Sequence, residues 1–132
     1  MQGPEQSLEA LEDDFWGDAP AGSTRLVSTV HVLRRQPVGS LDVEGLRVLI
    51  GQHVGLETLL PLALERLEED PLAEGDFYPG DLLAAVLRVP ESYWMARPEE
   101  AARVRDVVDR LTPEQVDHAL AGDIAAFRAR GY

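Results

Sequence analysis

The sequence predicts an all-α protein, a compact single-domain bundle of about six or seven short helices spanning residues 1–132. Three observations predict it. From Leu56 to Leu67, apolar residues fall at i, i+3, i+4, i+7, i+8 and i+11, a continuous helical stripe. No run alternates apolar and polar residues as a half-buried strand does. Capping residues and proline or glycine breaks divide the chain into short segments.

Ser7 suits the N-cap of a first helix with Leu8, Leu11 and Phe15 on one face, broken by the Gly17–Gly22 stretch around Pro20. A second helix follows Ser23, buries Leu26, Val30 and Leu33, and ends before Pro37. Arg34 and Arg35 there suit the negative end of its dipole. Asp42 caps a third helix carrying Leu46, Leu49, Ile50 and Val54. Gly45, Gly51 and Gly55 weaken it and match no phosphate-binding pattern.

The fourth helix is the leucine stripe, in which Pro61 marks either a kink or the true first turn. Glu65, Glu68, Glu69 and Asp70 crowd its C-terminal end, where the helix dipole disfavours negative charge. Leu82, Leu83, Val86 and Leu87 form a fifth helix with Pro79 near its start and Pro90 at its end. Tyr93, Trp94 and Met95 follow. Pro98 opens a sixth helix with Val104, Val107, Val108 and Leu111 on one face. Thr112-Pro113-Glu114-Gln115 is a capping box that opens a seventh, continued by Val116, Leu120, Ile124 and Phe127 and interrupted near Gly122.

The chain is long enough for a real core, and nothing in it asks for a disulfide, metal or cofactor. It contains no cysteine, which excludes thiol catalysis and cysteine-based zinc sites. Met1-Gln2-Gly3-Pro4-Glu5 lacks the basic and apolar regions of a signal peptide, so a cytoplasmic location is expected. No stretch has the length and apolarity of a membrane span.

Charge is the strongest compositional signal. Twenty-four acids against twelve arginines, with no lysine, give −12. Residues 57–91 alone hold nine acids against Arg66 and Arg88. Such a field repels nucleic acid and anionic membranes and favours basic partners. An acidic balance also serves solubility alone.

Enzymatic chemistry finds little to stand on. His31, His53 and His118 fall in three different predicted helices, and His53 with Glu57 is one i,i+4 pair astride Gly55. No serine sits in a nucleophile elbow, and the many carboxylates select no acid–base pair. The expectation is a protein that is not an enzyme.

The densest segment is Glu74-Gly75-Asp76-Phe77-Tyr78-Pro79-Gly80-Asp81. A structural role fits it, with Pro79 and Asp81 in a first helical turn and Phe77 or Tyr78 plugging the core. So does an acidic patch with an exposed aromatic anchor for a basic protein surface.

Several stretches together resemble the immunity proteins of bacterial contact-dependent growth inhibition (CDI) systems. They are Ser7-Leu8-Glu9-Ala10-Leu11-Glu12, Trp16-Gly17, Leu33-Arg34-Arg35-Gln36-Pro37-Val38, Leu46-Arg47-Val48-Leu49-Ile50-Gly51-Gln52, Gly55-Leu56, Leu60-Pro61-Leu62-Ala63 and Pro71 through Leu83, ending near Trp94. The similarity covers about residues 7–95, leaving 97–132 as a helical C-terminal extension. It implies a cytoplasmic protein that binds and neutralises the C-terminal domain of a cognate toxin. Many such toxins are nucleases with basic substrate-binding surfaces, which an acidic face can occlude. The expected partner-binding residues are Glu65, Glu68, Glu69, Asp70, Glu74, Asp76 and Asp81, with Tyr78 as anchor. A helical adaptor that binds another cellular protein is the alternative that composition leaves open.

Overall fold

The computed structural model describes residues 5–131. The signal-peptide reading at Met1–Pro4 therefore lies outside the described residues. Among the described residues eight helices follow one another: α1 Leu8–Glu12, α2 Arg25–Arg34, α3 Val43–Gly51, α4 Leu56–Glu69, α5 Asp81–Leu87, α6 Glu91–Met95, α7 Pro98–Asp109 and α8 His118–Ala129. Two 3-10 turns, Val38–Ser40 and Pro113–Gln115, join them. Among the described residues the only β pairing is two isolated bridges, Ser7 with Pro37 and Glu74 with Pro79. The fold is all-α.

The core forms where the leucine stripe meets its neighbours. Helix α4 buries Leu59, Leu60, Ala63, Leu64 and Leu67, and α3 buries Leu46, Leu49 and Ile50. Helix α5 is central, packing against α3, α4 and α8, and only Ala85 within it escapes full burial. Such a helix is apolar nearly all round because every side faces protein. Helix α7 packs on α4 and α6, while α2 packs on α3 at the edge. Trp94 of α6 is fully buried, with its ring meeting Tyr93 and Phe127 edge to face. That contact draws α8 into the same core.

Several expectations change in detail. Helix α1 ends at Glu12, with Asp13 in the left-handed region, so Phe15 leaves its face and is exposed. Helix α2 buries Val30 and half-buries Leu33, but Leu26 stays 44 % exposed because α3 covers only one narrow stripe. Arg34 does more than complement a dipole. It is 1 % exposed, donates to the Asp14 carbonyl at 2.8 Å and the Glu12 carboxylate at 2.7 Å, and lies 4.0 Å from the centroid of the Trp16 ring.

Pro61 sits inside α4 rather than at its start. Its ring removes the N–H that would reach the Glu57 carbonyl, a loss offset by burial of the surrounding leucines. The Thr112 capping box closes a 3-10 turn, and Asp117 caps α8 instead, accepting from the Leu120 N–H at 2.7 Å. Helix α8 runs through Gly122 without interruption. Tyr93-Trp94-Met95, given no helix from sequence, forms the short α6.

Candidate functional site

The acids at the end of α4 do not share one role. Glu68 is gripped by Arg103 of α7 through two hydrogen bonds, at 2.7 and 3.1 Å. The guanidinium of Arg110 caps the Glu68 backbone carbonyl at 2.7 Å. Arg103 holds the Glu68 carboxyl below its ordinary pKa. Thus α7 supplies cations where the α4 dipole and carboxylates crowd together, and Glu68 fastens two helices. Asp70 turns its carboxylate back to the Leu72 N–H at 3.0 Å. Glu65, Glu69 and Glu74 are exposed and, among the described residues, make no side-chain hydrogen bond or ion pair.

The Glu74–Asp81 loop is built from the inside by a carboxylate. Asp81, expected at the surface, is 2 % exposed, which removes it from any contact face. Its two oxygens accept from the Gly75 N–H at 2.7 Å and the Phe77 N–H at 3.1 Å. Helix α3 contributes the second anchor. Glu44 accepts from the Asp76 N–H at 2.9 Å and is held by Arg47 through two bonds, at 2.7 and 2.6 Å. The Arg47 hydrogen bond lowers the Glu44 pKa, against the opposing effect of burial. Arg47 Nε also lies 3.8 Å from Asp81, so one guanidinium ties together the two carboxylates that hold the loop.

Two glycines make this closure sterically possible. A Cβ on Gly75 would come within 2.5 Å of a Glu44 carboxylate oxygen. Gly80 turns the chain into α5 with φ of +91°, a conformation that side-chain-bearing residues rarely adopt. The motif that looked like a surface patch is largely a means of holding a loop rigid.

What the loop presents is Phe77. Its ring is 68 % exposed, and the Arg47 guanidinium lies 4.5 Å from the ring centroid. Tyr78, expected as the anchor, turns the other way and packs half-buried against the core. Asp76 is exposed beside Phe77, its carboxylate outside any ion pair. On one side of Phe77 runs a groove of about 510 Å³ between α2, α3 and the loop. Its lining includes Leu26, Leu33, Val48, Asp42, Asp76 and Arg25. On the other side lies a hollow of about 300 Å³ whose lining includes His53, Tyr78 and Arg88.

Of the residues expected from sequence, Glu65, Glu69, Asp70, Glu74 and Asp76 are therefore surface acids. Glu68 is shared between surface and scaffold, and Tyr78 and Asp81 belong to the scaffold. Sequence reasoning missed Phe77 as the exposed ring, and Glu44 and Arg47 as its support. Their i,i+3 spacing on a helix was a visible signal for the pair, but nothing local linked it to a loop some thirty residues on.

The histidines stay apart. His31 meets the Trp16 ring, and His53 stands in the turn before α4 with φ of +59°. Glu57, its proposed i,i+4 partner, pairs with Arg97 at 2.8 Å instead. Among the described residues no group of three or more His, Asp or Glu could hold a metal ion. No helix among them is long and apolar enough to cross a membrane.

Compared with known proteins, residues 10–104 match the family model described as CDI immunity proteins. The matched segment runs from α1 into α7 and contains the whole Phe77 loop with both of its anchors. No match was found among curated proteins or among solved structures.

Proposed function

The chain belongs to the CDI immunity protein family, and we propose that it binds the C-terminal domain of a cognate CDI toxin in the cytoplasm and holds it inactive without being an enzyme. The family match over residues 10–104 carries this reading. We further propose that the toxin domain is basic and a nuclease, and that the chain occludes its functional surface with an acidic face. The −12 charge supports that, because opposite fields speed encounter and a carboxylate array can occupy a phosphate-binding surface.

Glu65, Glu69, Asp70, Glu74 and Asp76 form the proposed face, with Glu68 contributing while it braces α7. Expressing the toxin domain encoded directly upstream, with and without this chain, tests the reading. Growth is expected to be rescued by this chain and not by an unrelated immunity protein. Toxicity that persists despite confirmed expression of the chain would contradict immunity toward that toxin.

A further inference from the structure

We propose that Phe77 is the anchor of the toxin interface and that the groove between α2, α3 and its loop takes one basic side chain of the toxin, an arginine or lysine. This inference rests on the immunity reading and deepens it. Its first support is the cost of the arrangement. An apolar ring 68 % exposed is ordinarily no more than a scattered surface residue. Here, however, the backbone leading into it, from Gly75 to Phe77 itself, is fixed by hydrogen bonds to two carboxylates, one of them buried. A loop already held in place loses little conformational freedom when it binds, and a rigid aromatic at the surface has the character of an interface hot spot.

The second support is the groove itself. Leu26, Leu33 and Val48 give an apolar wall and floor, which suits the alkyl stem of an arginine or lysine. Three carboxylates and two guanidiniums share the lining. Arg47 is claimed by Glu44 and by Asp81 behind it, and Asp42 caps α3 through the Gly45 N–H at 2.8 Å. Asp76 at the Phe77 end feels the charge of Arg47 but makes no side-chain hydrogen bond or ion pair, and with Arg25 counted the lining still holds one more carboxylate than guanidinium, in a molecule of charge −12.

Arg47 already occupies one face of the Phe77 ring, while the ring's remaining surface is open to an alkyl stem or a second cation. The hollow on the opposite side sets Arg47 and Arg88 against the single carboxylate of Asp81 in its lining, so it suits a cation less well than the groove does, even with Arg88 paired to Asp123. The basic side chain therefore belongs on the α2 side.

Titration of the purified full-length chain with the purified toxin domain tests this. Phe77→Ala is expected to weaken binding about tenfold or more, and Asp76→Asn about threefold with a shallower salt dependence. Glu114→Gln, in the turn before α8 and outside the family-matched segment, is expected to bind as the unaltered chain does. The altered side chains are exposed, and equal thermal midpoints will show that the fold is kept.

Unchanged affinity in both Phe77→Ala and Asp76→Asn overturns the inference and leaves the immunity reading standing, provided the unaltered chain binds. Loss with Phe77→Ala alone identifies an apolar occupant and overturns the basic one. No binding by the unaltered chain overturns both readings.

Discussion

Phe77 and Tyr78 are neighbours in sequence with opposite fates, one presented to solvent and one packed on the core. Two aromatics in a loop carry no sign of which turns outward; the outcome was decided by Asp81, whose carboxylate receives the Phe77 N–H. Removing that carboxylate leaves two N–H donors without acceptors and Arg47 short of a partner. Asp81→Ala is therefore expected to cost about 2–4 kcal/mol in denaturant unfolding, and Asp81→Asn less, since one oxygen remains.

Glu44 offers a finer test at the same scale. Its pKa in the folded protein lies below the ordinary 4.5, so its grip on the Asp76 N–H is complete at neutral pH. That contribution is lost as pH falls through the depressed value. The Glu44 side-chain carboxyl resonance is expected to titrate with a midpoint below 4.5, and Arg47→Gln to raise that midpoint. A midpoint at or above the ordinary value would mean that Arg47 does not hold Glu44 as described.

Among the elements, those with strong local signals were legible. The α4 stripe, the Asp42 cap of α3 and the valine face of α7 all stand where periodicity and capping put them. What sequence did not reveal depended on long-range contact. Leu26 of α2 reads as core by spacing, yet it stays exposed where α2 packs on α3 at the edge of the bundle. Glu65, Glu68 and Glu69 read as one surface, yet Arg103 sets Glu68 apart. A double-mutant cycle on Glu68 and Arg103 is expected to give a coupling of about 0.2–1 kcal/mol, the range for exposed pairs. Charge reversal at Glu68 thus mixes scaffold and binding effects, whereas Glu65 and Glu69 report on the surface alone. The α6–α8 junction depends on buried rings, so Phe127→Ala is expected to lower unfolding stability by about 3–5 kcal/mol.

At the scale of the whole molecule, the all-α class was legible, as was the acidic character on which the proposed partner depends. The site was legible only in part. Sequence singled out the segment Glu74–Asp81, but it did not reveal that the Asp81 carboxylate is buried or that Tyr78 packs half-buried on the core while Phe77 is exposed. The acceptor role of Asp81 depends on how the loop folds back on it, and its approach to Arg47 of α3 has no local sign in the sequence.

The most direct test of the account is the affinity of the unaltered chain for the toxin domain, measured from about 50 to 300 mM salt, a range over which screening shortens the reach of exposed charges. Binding that weakens steadily as salt rises, and weakens less steeply once Glu65, Glu69 and Asp76 are made neutral, is the predicted result. Absence of binding, or an affinity indifferent to salt, would contradict capture by an acidic face.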